Sequence, residues 1–397
     1  MAGQRWLSNL YWLVFIQILA GSAILGLISF VPLFIHELGA HDIGRASLWA
    51  GMVTAVTSLT AAVANPYWGA YGDRHGHKSV LLIILGSLTM IMAAMAWVRS
   101  PFELLVLRAL QGCAGGFIAA GLAMVVVETP REYATHALGI YQTGIVLGGT
   151  LGPLIGGAAA DIFGYRNTFL VFAFFALAAL VCTALFVRPQ AVPRPHAPKE
   201  SMWANLRLFV SIPLVRAMMI VQFLVQFGLT GMGPIIPLYL KGLTEAEAAL
   251  ATISGTIIAI GGVAGAVSSF NAGRVVQWFS HRHILCIGAF LTGICFILQY
   301  FAPNVWIFGV LRGVTGFCIG MLMPSVNTVI ADNVPADKRG IAFGVTSGTA
   351  LMGNVAGPFV SGALAVTLGM SAVFWSTALM FFAVALLVRR SLPADAA

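Results

Sequence analysis

The sequence predicts an all-α membrane protein in which twelve transmembrane helices form two pseudo-symmetric six-helix bundles. Of its 397 residues, 59% are hydrophobic and only 9% are charged, whereas a soluble domain carries about 25% charged residues. A soluble fold could not bury so much apolar surface, so lipid must be the main solvent. The apolar residues form long unbroken runs rather than alternating, which indicates helices and not a barrel. The second half of the chain also repeats the first.

The apolar runs account for the helices one by one, because a bilayer core about 30 Å thick needs roughly 20 apolar residues per helix. The first run lacks a small-residue cleavage site, so we interpret it as a retained helix and not as a signal peptide. In chain order the twelve runs are residues 10–35, 47–71, 79–98, 102–127, 137–160, 167–187, 217–239, 248–272, 284–301, 305–330, 341–366 and 371–388.

An internal duplication relates the two halves. Corresponding residues recur roughly 205 positions apart: Gln17 and Gln222, Arg108 and Arg312, Gly152 and Gly357, Pro153 and Pro358. A duplicated membrane bundle is the usual architecture of secondary transporters, with the substrate path between the halves.

A proline-rich polar segment separates the halves. We predict an N-terminal bundle over residues 1–187, a cytoplasmic linker over 188–213 and a C-terminal bundle over 214–397. Proline cannot sustain a helix interior, which makes the linker extended. Residues 203–209 are predicted to form a short helix on the inner membrane surface.

The distribution of Lys and Arg predicts the orientation. If both termini lie on one side, the other side holds only Arg45, Arg99, Arg166 and Lys241. Both termini are therefore expected in the cytoplasm. The net charge of +8 then reflects topology, and no basic cluster is interleaved with aromatic residues as a nucleic-acid surface would require.

The loop between the second and third runs carries Gly69, Asp73, Arg74, Gly76 and Lys78. This spacing resembles the signature loop of the major facilitator superfamily. Glycines permit a tight turn, and a carboxylate is favoured at a helix N-terminus. The resemblance implies a latch that holds the cytoplasmic side shut in one conformation; an ordinary positive-inside loop is the alternative.

Two positions of the loop depart from the family pattern. Tyr71 stands where a small aliphatic residue is usual, and His77 stands where arginine is usual. The corresponding loop of the second half has Gln277 in place of the acid. The latch is therefore expected to be asymmetric.

Arg108 and Gln111 lie inside the fourth run and resemble the R-x-x-Q-G motif of the same family. A charge inside a membrane helix is costly unless it is paired or wetted, so it is functional by default. Arg312 is the counterpart of Arg108 without the glutamine. A snorkelling arginine near the outer interface is the alternative.

The fifth run contains Gly152, Pro153 and Gly157, and its repeat contains Gly357 and Pro358. The stretch resembles the antiporter motif of exporting members of the superfamily. Glycines spaced by four create a flat helix face, and proline bends the helix.

No acidic residue lies in the middle of an apolar run. Proton coupling must then use groups at helix ends, for which the candidates are Glu37, Asp73, Glu128, Asp161 and Asp332. Glu128 and Asp332 are repeat counterparts at inner helix ends. We interpret them as gate residues, with solvated helix caps as the alternative.

An uncharged cavity between the halves is expected to bind amphiphilic, neutral or weakly anionic compounds. Packing against a neighbouring helix is the alternative for each residue. The candidate substrate-binding residues are Gln17, Tyr141, Gln142, Gln222, Phe223, Gln226, Met232, Asn327 and Asn354. Neither a metal site nor a cofactor is predicted. The cysteines lack CxxC spacing. The loop histidines, His75 with His77 and His281 with His283, are interpreted as ordinary polar residues, with a transition-metal site as the alternative.

The resemblance covers the whole chain and is greatest to the twelve-helix drug:proton antiporters. It implies a multi-pass protein of the bacterial inner membrane that exports drugs in exchange for protons. Because the fold needs no partner to close its path, we expect a monomer. An importer of a metabolite or metal chelate on the same fold is the alternative. A membrane enzyme is disfavoured because no catalytic motif is present, and a sensor is disfavoured because no soluble module is attached.

Overall fold

A computed structural model describes residues 5–188, 207, 209–335 and 338–392. Within these ranges the chain is helical and contains no β-strand. The described residues contain twelve helical spans that are long and apolar enough to cross a membrane by their length and composition. The predicted fold class is confirmed.

The α-helices are numbered in chain order. Short 3-10 turns cover Gly26–Ser29, Arg131–Tyr133 and Glu247–Ala249. The helices are α1 Arg5–Leu25, α2 Val31–Glu37, α3 Ile43–His75, α4 His77–Met95, α5 Pro101–Cys113, α6 Phe117–Glu128, α7 Ala134–Phe163, α8 Tyr165–Phe186, α9 Pro213–Met232, α10 Ile235–Leu240, α11 Leu250–Val275, α12 His281–Tyr300, α13 Val305–Asp332, α14 Arg339–Leu368 and α15 Met370–Ser391.

The fourth predicted run is two helices and not one. Gly116 has a φ of +92°, a left-handed conformation that ends α5 and starts α6 after a short break. The break releases a backbone carbonyl at Cys113, and the indole N–H of Trp68 donates to that carbonyl at 2.7 Å. Non-helical backbone at membrane depth needs such a partner.

Helix ends follow local sequence signals. Ser100 caps α5 by accepting the backbone N–H of Glu103 at 3.3 Å, and Asn304 caps α13 by accepting that of Ile307 at 2.9 Å. These two caps stand at repeat-equivalent positions. Side chains of this type satisfy the free N–H groups of a first helical turn.

The chain divides into two compact units by its internal contacts. Unit 1 comprises Met1–His41, Val56–Ala197 and Ala246–Ala259, and unit 2 comprises Asp42–Ala55, Pro198–Glu245 and Ile260–Ala397. Each unit therefore follows one predicted bundle, except that the beginning of α3 joins unit 2 and the beginning of α11 joins unit 1. The bundle boundaries at 187 and 214 remain predictions. Most of the predicted interfacial helix lies outside the described residues.

Helix pairing is the same inside each unit. In unit 1, α1 packs against α7 and α8, and α4 packs against α8. In unit 2, α9 packs against α14 and α15, and α12 packs against α15. The same pairing is expected of a duplicated bundle, because equivalent apolar faces must be buried in each copy.

Large apolar side chains also lie on the outside. Phe270, Trp278 and Trp306 are each more than four-fifths exposed. In water such a surface would drive aggregation, whereas in a bilayer it contacts lipid, in agreement with the twelve candidate membrane spans.

Candidate functional site

A buried amide–phenol pair joins α1 to α7 in unit 1. The Tyr141 hydroxyl donates to Gln17 Oε1 at 2.8 Å, and each residue is only 1% exposed. The two helices approach closely because Gly148 faces the Gln17 carbonyl, where an added Cβ would lie 3.2 Å from that oxygen. The Tyr141 hydroxyl also fills the space that a side chain at Gly121 would need. The structure thus brings together two predicted substrate-binding residues.

The counterpart of Gln17 in unit 2 has no such partner. Gln222 is buried, and its Oε1 has no hydrogen bond within the described residues. The position equivalent to Tyr141 is Thr346, whose short side chain bonds to the carbonyl of Phe343 in its own helix at 3.2 Å. The replacement of tyrosine by threonine between the repeats thus leaves the buried Oε1 of Gln222 without a hydrogen-bond donor in the described residues.

The other predicted substrate-binding residues differ in exposure. Phe223, Gln226, Asn327 and Asn354 are half-buried, Met232 is fully buried, and Gln142 is exposed. Asn354 Oδ1 is a second buried acceptor without a partner in the described part of the chain.

Glu128 ends α6 and is the one buried carboxylate among the described acidic residues. The amide of Asn9 donates to its Oε2 at 2.8 Å, and Asn9 Oδ1 accepts the backbone N–H of Arg188 at 3.3 Å. Glu128 Oε1 is buried without a hydrogen bond to a described side chain, and the described side chains, which do not include those of Arg5 and Arg131, place no cation within 4.0 Å of the carboxylate. An unpaired charge at such a position is costly, so this carboxylate is suited to binding a proton.

Its repeat counterpart Asp332 lies at the end of α13 and is not buried. The two residues were predicted to share a role as gates, but one is buried and the other is exposed. Only the carboxylate of Glu128 is held away from water.

Two buried arginines lack an acidic partner within the described residues. Arg108 Nη1 donates to Gln111 Oε1 at 3.3 Å, and its Nε has no partner in that part of the chain. Arg312 packs its side chain 3.4 Å from the place where a Cβ on Gly261 would stand, and its Nη1 is likewise unpartnered there. Both are 8% exposed, so neither side chain reaches freely into water.

The signature loop is open to solvent at its acid. Asp73 is 66% exposed, and its ion-pair contact is with His77, 3.9 Å away. Arg74 is exposed, whereas the Lys78 ammonium donates to the carbonyl of Ala184 at 3.0 Å. The predicted contact of Asp73 with a neighbouring helix N-terminus is not made within the described residues.

The predicted loop is almost entirely helical: α3 continues to His75 and α4 begins at His77, so only Gly76 lies between the helices. Gly76 has a φ of +87°, which separates α3 from α4. A Cβ on Gly69 would meet nothing within 4 Å, but one on Gly72 would clash with the imidazole of His77. The sequence analysis predicted a role for Gly69, where an added Cβ contacts nothing, and none for Gly72. The need for glycine at position 72 comes from the His77 side chain five residues later, which packs against it.

The glycine motif of α7 is a surface for close helix approach. A Cβ on Gly152 would lie 2.8 Å from the Ser22 carbonyl oxygen. Gly157, four residues after the proline at position 153, instead faces the first turn of α11, where Ala251 occupies the adjacent space. In unit 2, Gly357 meets the carbonyl of Phe227, and the carbonyl of Pro358 meets Gly51 of α3.

Asp161 stands one turn beyond Gly157 and contacts the same helix. Its Oδ1 accepts the backbone N–H of Ala251 at 3.2 Å, and its Oδ2 accepts that of Thr252 at 2.7 Å. The sequence indicated Asp161 only as one of several candidate coupling acids. The pairing with α11 could not be read from the sequence because the partners are 90 and 91 residues apart.

The profile of the Major Facilitator Superfamily matches residues 10–281 and 218–397 of the chain. The chain belongs to the major facilitator superfamily. It is therefore a transporter and not an enzyme, as the sequence indicated.

The chain is similar to several curated members of the superfamily over almost its full length. It is 32% identical to the multidrug resistance protein MdtG of Enterobacter lignolyticus, over 91% of this chain and 87% of that protein. It is 31% identical to MdtG of Salmonella typhi, over 91% of this chain and 89% of that protein. The predicted similarity to drug-resistance transporters of the superfamily is confirmed.

Solved structures of the superfamily share the fold at low sequence identity. A bacterial homologue of the human lysosomal transporter Spinster, in an inward-facing and occupied conformation, aligns with a TM-score of 0.80 at 14% identity over 96% of each chain. A mutant of the nucleoside transporter NupG aligns with a TM-score of 0.81 at 12% identity over 97% of this chain and 100% of that chain.

Proposed function

We propose that this superfamily member exports amphiphilic drugs or related small molecules by alternating access, in exchange for protons. The proton coupling is supported by Glu128, a buried carboxylate with no cationic partner among the described side chains. The export direction is supported by the glycine motif of α7 and by relatives named for multidrug resistance. An importer on the same fold remains the alternative.

Proton exchange at Glu128 is chemically simple. The carboxylate binds one proton to become a neutral acid, and the same proton leaves again when the site faces the other side. Asn9 donates to one oxygen and so positions the carboxylate. Asn9 of α1 also accepts the backbone N–H of Arg188, just beyond the end of α8. A change of charge at Glu128 of α6 can therefore alter the contacts among α1, α6 and α8.

The proposed substrates are neutral or weakly anionic. Amide and phenol groups dominate the candidate binding residues, and Gln222 and Asn354 offer buried acceptors without partners in the described chain. The two buried arginines, Arg108 and Arg312, add positive charge. No acidic side chain of the described residues forms an ion pair with either of them. A cationic drug would find no buried carboxylate near the middle of the membrane helices there.

The direct test is drug accumulation in pump-deficient bacteria that express the chain. A panel of fluorescent and antibiotic compounds is compared with and without a protonophore. Export predicts lower accumulation of some compounds, and loss of that difference when the gradient is dissipated. Raised or unchanged accumulation across the panel would contradict the proposal and favour an importer or a dedicated exporter.

A matched pair of variants tests the coupling residue. We expect Glu128→Gln to abolish gradient-driven export, because the amide keeps the size of the side chain but cannot exchange a proton. Asp332→Asn, at the repeat counterpart that is not buried, should reduce export less than about twofold, because water already solvates the charge of an exposed carboxylate. Equal loss in both variants at equal expression would contradict a special role for Glu128.

The proposal places the protein in the bacterial inner membrane as a monomer with both termini in the cytoplasm. The scarcity of Lys and Arg on one side of the predicted topology supports this orientation. A fluorescent protein fused to the C-terminus should mature and fluoresce, whereas an alkaline phosphatase fusion there should be inactive. The reverse pattern would contradict the orientation.

A further inference from the structure

A carboxylate from one helix caps the beginning of another in unit 1. Helix α11 begins at Leu250, and the N–H groups of its first turn have no partner within the helix. Asp161 of α7 accepts two of them, from Ala251 at 3.2 Å and from Thr252 at 2.7 Å. The negative charge also faces the positive end of the helix dipole, which is favourable because opposite charges attract there.

The backbones around this cap are in direct contact. An added Cβ on Gly157 would lie 2.9 Å from the Cα of Thr252 and would clash with the carbonyl of Ala251. One on Gly255 would clash with the carbonyl of Pro153. With glycine on both helices, no side chain separates them, and Asp161 joins them at the end of that contact.

The repeat-equivalent place in unit 2 is built differently. The position equivalent to Asp161 is Val366, which has no side-chain acceptor for a hydrogen bond. Its Cα lies 3.1 Å from an added Cβ on Gly44, at the beginning of α3. Helix α3 is capped instead by its own Asp42, whose Oδ2 accepts the backbone N–H of Arg45 at 2.9 Å. Of these two equivalent places, only the one in unit 1 has a cap between two helices.

We propose that Asp161 is a positioning residue that latches the outer ends of α7 and α11 together, and that this latch must open when the transporter turns outward. The inference rests on the proposed alternating access and on the proposed orientation, but not on transport direction, substrate or coupling ion. Asp73 at the other side of the membrane makes no such contact in the described residues. In this structure the outer latch is made and the signature-loop latch is not.

The experiment measures separation of the two helix ends directly. Spin labels are attached at Ile162→Cys and Ala248→Cys, two exposed positions beside the latch, in the purified full chain after its five native cysteines are replaced. Double electron–electron resonance then gives the distance distribution. We expect Asp161→Asn to raise the ratio of separated to closed populations about three- to tenfold, because the charge is lost while the side chain keeps its size.

Asp42→Asn is the matched control, because Asp42 also caps a helix at the outer side but only within its own segment. It should leave the distance distribution unchanged, and Asp161→Glu should restore part of the closed population. An unchanged distribution in Asp161→Asn overturns the proposal. An equal shift in Asp42→Asn, together with equal loss of thermal stability, also overturns it, because Asp161 would then be an ordinary helix cap. Neither readout depends on export, so the proposed function can fail separately.

Discussion

At the scale of single residues, the difference between the two halves lies in which buried polar groups are paired. Gln17 has Tyr141 as its donor, whereas Gln222 has only the short Thr346 at the equivalent position and no donor to its Oε1 in the described chain. A buried hydrogen-bonding group without a partner costs free energy, and removing it can be neutral or stabilising. A ligand that supplies the missing donor would offset that cost, which favours Gln222 over Gln17 as a substrate contact.

This difference predicts opposite effects of the same substitution. Gln17→Leu should lower the free energy of unfolding by about 0.5–2 kcal/mol, because it leaves the Tyr141 hydroxyl buried without an acceptor. Gln222→Leu should leave stability unchanged or raise it, yet reduce transport. Thermal unfolding in detergent and drug accumulation measure the two quantities. Equal destabilisation by both substitutions would be incompatible with the assignment.

At the scale of helices, the glycines of α7 divide into those that contact another helix and those that do not. Gly152 meets the backbone of α1, whereas a Cβ on Gly139 of the same helix would meet nothing within 4 Å. Gly152→Ala should therefore destabilise the protein by about 1–3 kcal/mol. Gly139→Ala should be neutral or stabilise it by up to about 1 kcal/mol, because alanine favours helix. Thermal unfolding of the two variants distinguishes them, and similar values would show that the motif does not act through packing.

Much of this helical architecture could be predicted from the sequence. The run at residues 137–160 became α7, Ala134–Phe163, because apolar length alone determines a membrane span. The break between α5 and α6 could not be predicted, since it depends on the left-handed conformation of Gly116 and on a carbonyl partner at Trp68. The same holds for the partners of Glu128 and Asp161, which come from distant parts of the chain. Composition indicates that a residue is buried in lipid or protein, but only packing determines what it contacts.

At the scale of the whole molecule, the two aspartates are expected to act in opposition. The signature loop should hold the cytoplasmic side shut through Asp73, and Asp161 should hold the outer side shut. Asp73→Asn should then lower the population with separated labels at residues 162 and 248, and Asp161→Asn should raise it. In the double variant the two free-energy changes should add to within about 0.5 kcal/mol, because the two sites share no partner. Shifts in the same direction would exclude opposed latches.

The interrupted fourth span also constrains how the protein is made. Helix α5 has 13 residues and α6 has 12, and each is shorter than the roughly 20 residues needed to cross a bilayer. Neither piece is long enough to cross alone, so we expect both to enter the membrane together as one segment during synthesis. A polar substitution in either piece should therefore impair insertion of the other. The carbonyl freed by the left-handed glycine between them finds its partner only when Trp68 is available from the preceding hairpin.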